Sequence, residues 1–198
     1  MTKRVPGGPG EPIDHAELLA RCRRGDQLAW EALVRRNQAR VYGLALHYVR
    51  DAEEARDLAQ EVFVRIYTKL GSLPDDGIFL PWLLRLTRNI CIDHLRRRKV
   101  RPVPAARRVE EPGPDPVDPG PTPEQAWVAG DRRRLVHRAL QRLSDVNREI
   151  IMLKEIQGLK LEEIAALLDL PLGTVKSRSN RARVELARAV IALSGSGI

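Results

Sequence analysis

One stretch governs what this chain can fold into. Between Arg101 and Ala126 fall eight of the fourteen prolines, together with Glu110, Glu111, Asp115, Asp118 and Glu124. Such a composition buries too little apolar surface to offset the entropy of ordering, so the stretch reads as an extended tether. The 198 residues then divide into two small modules rather than one large domain. The net charge of +8 divides with them: +5 over residues 1–100, −2 over 101–126 and +5 over the remainder. Two basic modules flanking an acidic tether point to a polyanionic partner, nucleic acid first and an anionic membrane second. With only 4% aromatics, the cores must be built from Leu, Ile, Val and Ala, which favours an all-α fold over a β-sandwich.

Helix signals fill both modules. In the first, Asp14-His-Ala-Glu17 has the capping-box pattern and opens a short helix through Leu18, Leu19 and Cys22 that stops at Gly25. Asp26 then caps a longer helix whose apolar positions are Trp30, Leu33, Val34, Val41, Leu44, Ala45 and Tyr48. A second capping box, Asp51-Ala-Glu-Glu54, starts a helix with a stripe of Ala55, Leu58, Ala59, Val62, Phe63, Ile66, Tyr67 and Leu70, ending at Gly71. After a turn-rich Ser72 to Gly77, a fourth helix runs roughly from Phe79 to Lys99 and closes the bundle.

The second module begins with Thr122-Pro-Glu-Gln125, a third capping box, and a helix to about Leu143 that Gly130 interrupts. Ser144 caps a helix carrying Ile150, Ile151, Leu153 and Ile156, closed by Gly158. Leu161 to Leu168, a turn through Asp169 to Thr174, and a last basic helix through Ala189 have the outline of a helix-turn-helix. The expected boundaries are a tail over 1–13, modules over 14–100 and 127–192, and the tether over 101–126.

Three polar constellations stand out. In the helix-turn-helix, Ile164, Ala165 and Leu168 pack inward and Val175 anchors the second helix. That leaves Thr174, Lys176, Ser177, Arg178, Asn180 and Arg181 for phosphates and base edges, with Arg181 placed for a bidentate contact to guanine. The plainer alternative is a solvated basic helix. On the fourth helix, Trp82, Arg85, Asn89, Asp93 and Arg96 share one face, followed by Arg97. An aromatic, an amide and arginines suit single-stranded nucleic acid; alternatively Trp82 belongs to the core and the others to water. Asp57, Gln60, Glu61 and Arg65 lie opposite the third helix's stripe, either as a protein-docking face or as a solvated one.

Other chemistry lacks its residues. His15, His47, His94 and His137 are scattered, Cys22 and Cys91 stand alone, and no zinc spacing, P-loop or nucleophile elbow occurs. No catalytic residue, metal site or cofactor is expected. Absent any apolar run of roughly 20 residues or a leader-type N-terminus, the chain is expected in the reducing cytoplasm with no membrane insertion.

Taken together, the segments resemble a bacterial RNA polymerase sigma factor of the extracytoplasmic-function (ECF) group of the sigma-70 family, over almost the whole chain beyond its tail. Asp51-Ala-Glu-Glu-Ala-Arg-Asp-Leu-Ala-Gln-Glu-Val-Phe63 is similar to the polymerase-binding helix of region 2. Trp82-Leu with Arg88-Asn-Ile-Cys-Ile-Asp-His-Leu-Arg-Arg-Arg98 is similar to the promoter-melting helix, and Gly173-Thr-Val-Lys-Ser-Arg178 to the recognition helix of region 4.

The resemblance implies partners and roles. Asp57, Gln60 and Glu61, with Arg65, would dock on a coiled coil of core RNA polymerase. Trp82, Arg85, Asn89, Asp93, Arg96 and Arg97, with the Ser72 to Phe79 loop, would hold the opened non-template strand of the minus-ten promoter element and capture a flipped base. Thr174, Lys176, Ser177, Arg178, Asn180 and Arg181 would read minus-thirty-five promoter DNA as duplex, Lys176 standing where relatives frequently carry Arg. The acidic tether would thread toward the polymerase active centre, and an anti-sigma factor is a further expected partner. A helix-turn-helix regulator, a DNA enzyme and a DNA-coating protein are the rivals. The first needs no acidic docking helix, the second needs a missing carboxylate cluster, and the third leaves the ordered base-facing set unexplained.

Overall fold

A computed structural model of the chain describes residues 14–100 and 135–195. The tail over 1–13, the Arg101–Ala126 stretch, the Thr122 capping box and Gly130 lie outside the described residues. The chain divides into two units, Met1–Arg108 and Val109–Ile198. Among the described residues all regular structure is helical.

In the first unit, α1 spans His15–Arg23. The expected capping box does not form: Asp14 makes no side-chain cap bond, and Glu17 instead accepts from Arg24 at 3.3 Å. The guanidinium of Arg24, the residue that closes the helix two turns after Glu17, outcompetes the backbone amide for the carboxylate. Gly25, at φ +82°, supplies the left-handed turn that ends the segment. Asp26 then joins two helices, its carboxylate accepting from the Ala29 amide at 3.1 Å and from Arg21 Nε at 2.9 Å. The Arg21 hydrogen bond first, and the Ala29 amide second, hold its carboxyl below the ordinary aspartate value.

The second helix, α2 (Gln27–Val49), buries Ala29, Leu33, Val41, Leu44, Ala45 and Val49, while Trp30, Val34 and Tyr48 stand half-buried at the flanks. Asn37 also falls on the buried line, where its side-chain amide donates to the Leu33 carbonyl at 2.9 Å. Then α3 (Ala52–Tyr67) starts on Asp51, whose Oδ1 accepts from both the Glu53 and Glu54 amides at 2.9 Å. The stripe ends earlier than its periodicity suggests: Tyr67 is exposed, and Leu70–Ser72 forms a separate 3₁₀ turn.

The fourth helix, α4, spans Asp76–Val100. It starts three residues before Phe79, because the Asp75 carbonyl accepts from both the Ile78 and Phe79 amides. Pro81 sits inside it, forfeiting one i−4 bond near the N-terminal end. Phe79, Leu83, Ile90 and Cys91 from α4 enter a single core with Leu18 and Leu19 of α1, Leu33 of α2 and Val62 of α3.

In the second unit, residues 135–141 are helical (α5). Then α6 (Asp145–Ile151) starts on Ser144, whose hydroxyl accepts from the Asn147 amide at 3.4 Å. Arg148 folds back to end α5: its guanidinium donates to the carbonyls of Leu140, Gln141 and Leu143 at 2.7, 2.9 and 2.8 Å. After α6 the chain widens into a π-helical turn, Met152–Ile156, marked by the Gln157 amide reaching back five residues to the Met152 carbonyl at 2.9 Å. An inserted residue rotates everything after it. Ile150, Ile151 and Leu153 therefore stay buried, whereas Ile156 turns outward and is 53% exposed.

The helix-turn-helix comes next, with α7 (Leu161–Leu168) and α8 (Leu172–Ser194). Ile164 and Leu167 are the buried positions of α7; Ala165 and Leu168, expected there, are half-buried. The turn is tighter than expected, Asp169 ending α7 at φ 55°, so that Thr174 already lies in the first turn of α8. Val175, Ser179 and Ala182 form the buried line of α8 at i, i+4 and i+7, and the helix continues past Ala189.

Candidate nucleic-acid interface

The α4 face is built from its N-terminal end. Leu73 is buried and Pro74 half-buried, and both carbonyls accept from Arg23 of α1, through Nε at 2.9 Å and Nη2 at 2.7 Å. Arg23 Nη2 also meets Asp75 Oδ1 at 2.9 Å, and His15 Nδ1 pairs with Asp76 Oδ1. The segment expected as a Ser72 to Phe79 loop is thus shorter, with Asp76 to Phe79 helical and Phe79 itself in the core. Buried Phe79 cannot stack on a base.

Along the helix, Trp82 is divided between the two readings offered by its sequence. It is half-buried, packs against the core cluster and meets the Phe79 ring at 6.0 Å between centroids. Arg85, Asn89, Asp93, Arg96 and Arg97 are all exposed. The next arginine is used differently: Arg98 Nη1 lies 3.1 and 3.0 Å from the two Glu54 oxygens, and His94 Nε2 lies 3.2 Å from Oε2. One cation of the terminal basic run therefore ties α4 to α3, leaving Arg96, Arg97 and Lys99 for an outside anion.

On α3, Asp57, Gln60 and Arg65 are exposed, while Glu61 is half-buried and pairs with Arg65 at 2.5 Å. This face has a member that sequence reasoning missed. Val64 is 61% exposed, one turn from both Gln60 and Glu61, so an apolar side chain sits within the acidic set. The periodicity carries the signal, since Val64 is the apolar residue of α3 that falls off the Ala55–Ile66 stripe. Tyr67 stands beside it, exposed, its ring 5.3 Å from Trp30.

On α8, Lys176, Ser177, Asn180 and Arg181 are exposed, whereas Thr174 and Arg178 are half-buried or lie at the edge of the same face. Among the described residues no ion pair involves Lys176, Arg178 or Arg181. Ser177 donates its hydroxyl proton to the Thr174 carbonyl at 3.0 Å, which leaves its lone pairs as acceptors. The next arginine along, Arg183, is taken by Glu155 at 2.8 Å, and Glu185 by Asn147 at 2.7 Å. These pairs fix the middle of α8 on α6 and the π turn while its first two turns stay open.

Both cysteines are buried. Burial chiefly, with the Glu61 charge adding, pushes the Cys91 thiol up to about 12, and burial together with Asp26 raises Cys22. Neither has the thiolate character of a redox sensor. Among the described residues no group of three or more His, Cys, Asp and Glu is placed to hold a metal ion. No described helix is long and apolar enough to cross a membrane.

Comparison with known proteins meets this geometry at both units. Residues 33–101 match the family Sigma-70 region 2, and residues 133–186 match Sigma-70, region 4. The chain is 35% identical over 178 residues to the RNA polymerase sigma-H factor of Pseudomonas aeruginosa, covering 88% of this chain and 92% of that one. It is 34% identical over 179 residues to the ECF RNA polymerase sigma-E factor of Escherichia coli K12, covering 87% and 92%. Among solved structures it is similar to CnrH, seen in complex with the cytosolic domain of CnrY, at 27% identity and a TM-score of 0.58 over 89% of this chain and 97% of that one. It shares its fold with the sigma factor RpoE of Bartonella quintana, solved with the anti-sigma factor NepR, at 24% identity and a TM-score of 0.60 over 81% and 95%. The chain belongs to the sigma-70 family, in its ECF group. Members of that family are transcription-initiation factors and not enzymes.

Proposed function

We propose that this sigma factor makes core RNA polymerase promoter-specific through three faces on three helices. The observation that carries the reading is the arrangement of α4 and α8, each of which turns an ordered polar set outward while burying its other side. Asp57, Gln60, Glu61 and Arg65 of α3, with Val64 among them, dock on polymerase. Trp82, Arg85, Asn89, Asp93, Arg96 and Arg97 hold the opened non-template strand of the minus-ten element. Thr174, Lys176, Ser177, Arg178, Asn180 and Arg181 read the minus-thirty-five duplex, where Arg181 supplies the guanidinium fork and Lys176 a point charge. Residues 14–100 and 127–192 act as the two modules, and 101–126 couples them so that binding of one raises the effective concentration of the other. The work takes place in the cytoplasm, where polymerase and promoters meet. An anti-sigma factor is a further partner, and the complex in which CnrH is seen with the cytosolic domain of CnrY supports a protein partner of this kind.

Run-off transcription of a genomic-fragment library by core polymerase, with and without the protein, tests the reading. Discrete start sites that depend on the protein are expected, and their upstream alignment yields both elements. A protein that binds DNA without directing initiation is a helix-turn-helix regulator instead. For the docking face, Asp57→Ala combined with Glu61→Ala is expected to weaken association with core polymerase about tenfold while circular dichroism and melting stay unchanged. Unchanged association in a titration removes the α3 assignment.

A further inference from the structure

We infer that Arg23, on α1 and far in sequence from any residue assigned to DNA, is a positioning residue for promoter opening. This rests on the minus-ten reading of α4. The guanidinium spans fifty residues of sequence to hold three acceptors in a row: the Leu73 carbonyl at 2.9 Å, the Pro74 carbonyl at 2.7 Å and Asp75 Oδ1 at 2.9 Å. The Arg23 side chain is 29% exposed and its two carbonyl contacts are partly shielded from water, whereas the Asp75 side chain is 89% exposed. The carbonyl bonds therefore carry most of the grip, and the ion pair is screened.

These acceptors lead directly into α4. The Asp75 carbonyl accepts the first amides of the helix, so fixing Asp75 fixes where the helix starts. From there Phe79 anchors the helix in the core and stacks near Trp82, and Arg85 and Asn89 come next on the exposed side. Arg23 thus sets the rotation and height of the whole base-facing set without touching a base.

Charge gives a second argument. Asp75 and Asp76 place two adjacent carboxylates at the end of α4 that an opened strand must approach, and carboxylates repel phosphates. Arg23 pairs with the first and His15 with the second. The Arg23 guanidinium therefore offsets one of the two negative charges on that rim, and His15 occupies an oxygen of the other carboxylate. Only a planar fork serves two carbonyls and a carboxylate at once; an ammonium holds one of them well.

The experiment uses holoenzyme reconstituted from core polymerase and full-length wild-type, Arg23→Ala or Arg23→Lys protein, on a promoter recovered by the library transcription. Opening is monitored by 2-aminopurine fluorescence in the minus-ten element, and base preference by affinity for pre-opened templates with each minus-ten base replaced in turn. Arg23→Ala is expected to lower opening about tenfold and to flatten the base preference while leaving affinity for core polymerase unchanged. Arg23→Lys is expected to fall between it and wild type. Wild-type opening and base preference in Arg23→Ala overturn the inference, as does a loss of core affinity as large as the loss of opening, which marks general damage to the bundle. A wild-type holoenzyme that opens no promoter overturns the initiation reading itself, a result distinguishable because it appears before any variant is compared.

Discussion

The helices α4 and α8 are both long, basic and buried along one line, yet they are held in different ways. At its start α4 is gripped by Arg23 and His15 of α1, and near its end by Glu54 of α3 through Arg98 and His94. By contrast α8 begins without a side-chain cap and is seated from inside by Val175, Ser179 and Ala182, with Arg183 and Glu185 tied at its middle. The contrast fits the roles proposed for the two faces. An opened strand has no regular shape, so a helix proposed to hold it gains from being fixed at both ends. A duplex major groove is regular, and a straight helix with an open outer face is enough to enter it.

The same contrast appears in how each unit is stabilised, and it can be broken by substitution. In the second unit one guanidinium, with its side chain 11% exposed, terminates α5 on three carbonyls. Arg148→Ala leaves those acceptors without their donor and is expected to destabilise that unit by about 3 kcal/mol, read as an earlier chemical-denaturation transition with the first unit's transition in place. A shift below about 1 kcal/mol shows that water replaces the guanidinium.

Arg181→Ala sharpens the comparison on the DNA side. It is expected to weaken holoenzyme binding at a cognate promoter by about 1–3 kcal/mol and to relax the preference at one minus-thirty-five position. An equal loss on every sequence assigns Arg181 to phosphate alone.

The smallest effect concerns Asp26, where the first unit joins α1 to α2. Because its folded carboxyl titrates below the ordinary aspartate value, it stabilises the fold above that value and the contribution is lost as pH falls through the lowered one. Melting temperature against pH is expected to flatten on the acid side in Asp26→Ala. A variant profile parallel to wild type contradicts this role.

Much of the architecture is legible in the sequence because it depends on local signals. Asp26, Asp51 and Ser144 cap their helices as their positions suggest, and Gly25 and Gly158 take the positive φ that ends a segment. The outward set of α8 follows from the burial of Val175 and simple helical geometry. What escapes has physical reasons. A π turn cannot be read from a 3.6-residue period, so periodicity places Ile156 in a core from which it is rotated out. Asp14 and Asp51 open the same capping-box pattern, but the glutamates that would close it are drawn elsewhere, Glu17 to Arg24 and Glu54 to Arg98 and His94, and those pairings are visible only once the chain has folded. Arg23 escapes for a deeper reason: two of its three acceptors are backbone carbonyls, which every residue carries and no sequence pattern marks.

The most direct test of the division between α4 and α8 is a double dissociation. Holoenzymes carrying Asn89→Ala or Arg181→Ala are titrated with a single-stranded non-template minus-ten oligonucleotide and with a duplex bearing only the minus-thirty-five element. Asn89→Ala is predicted to lose affinity for the single strand and keep the duplex, and Arg181→Ala to do the reverse. If both variants lose both ligands alike, the two helices are not separate readers and the account fails.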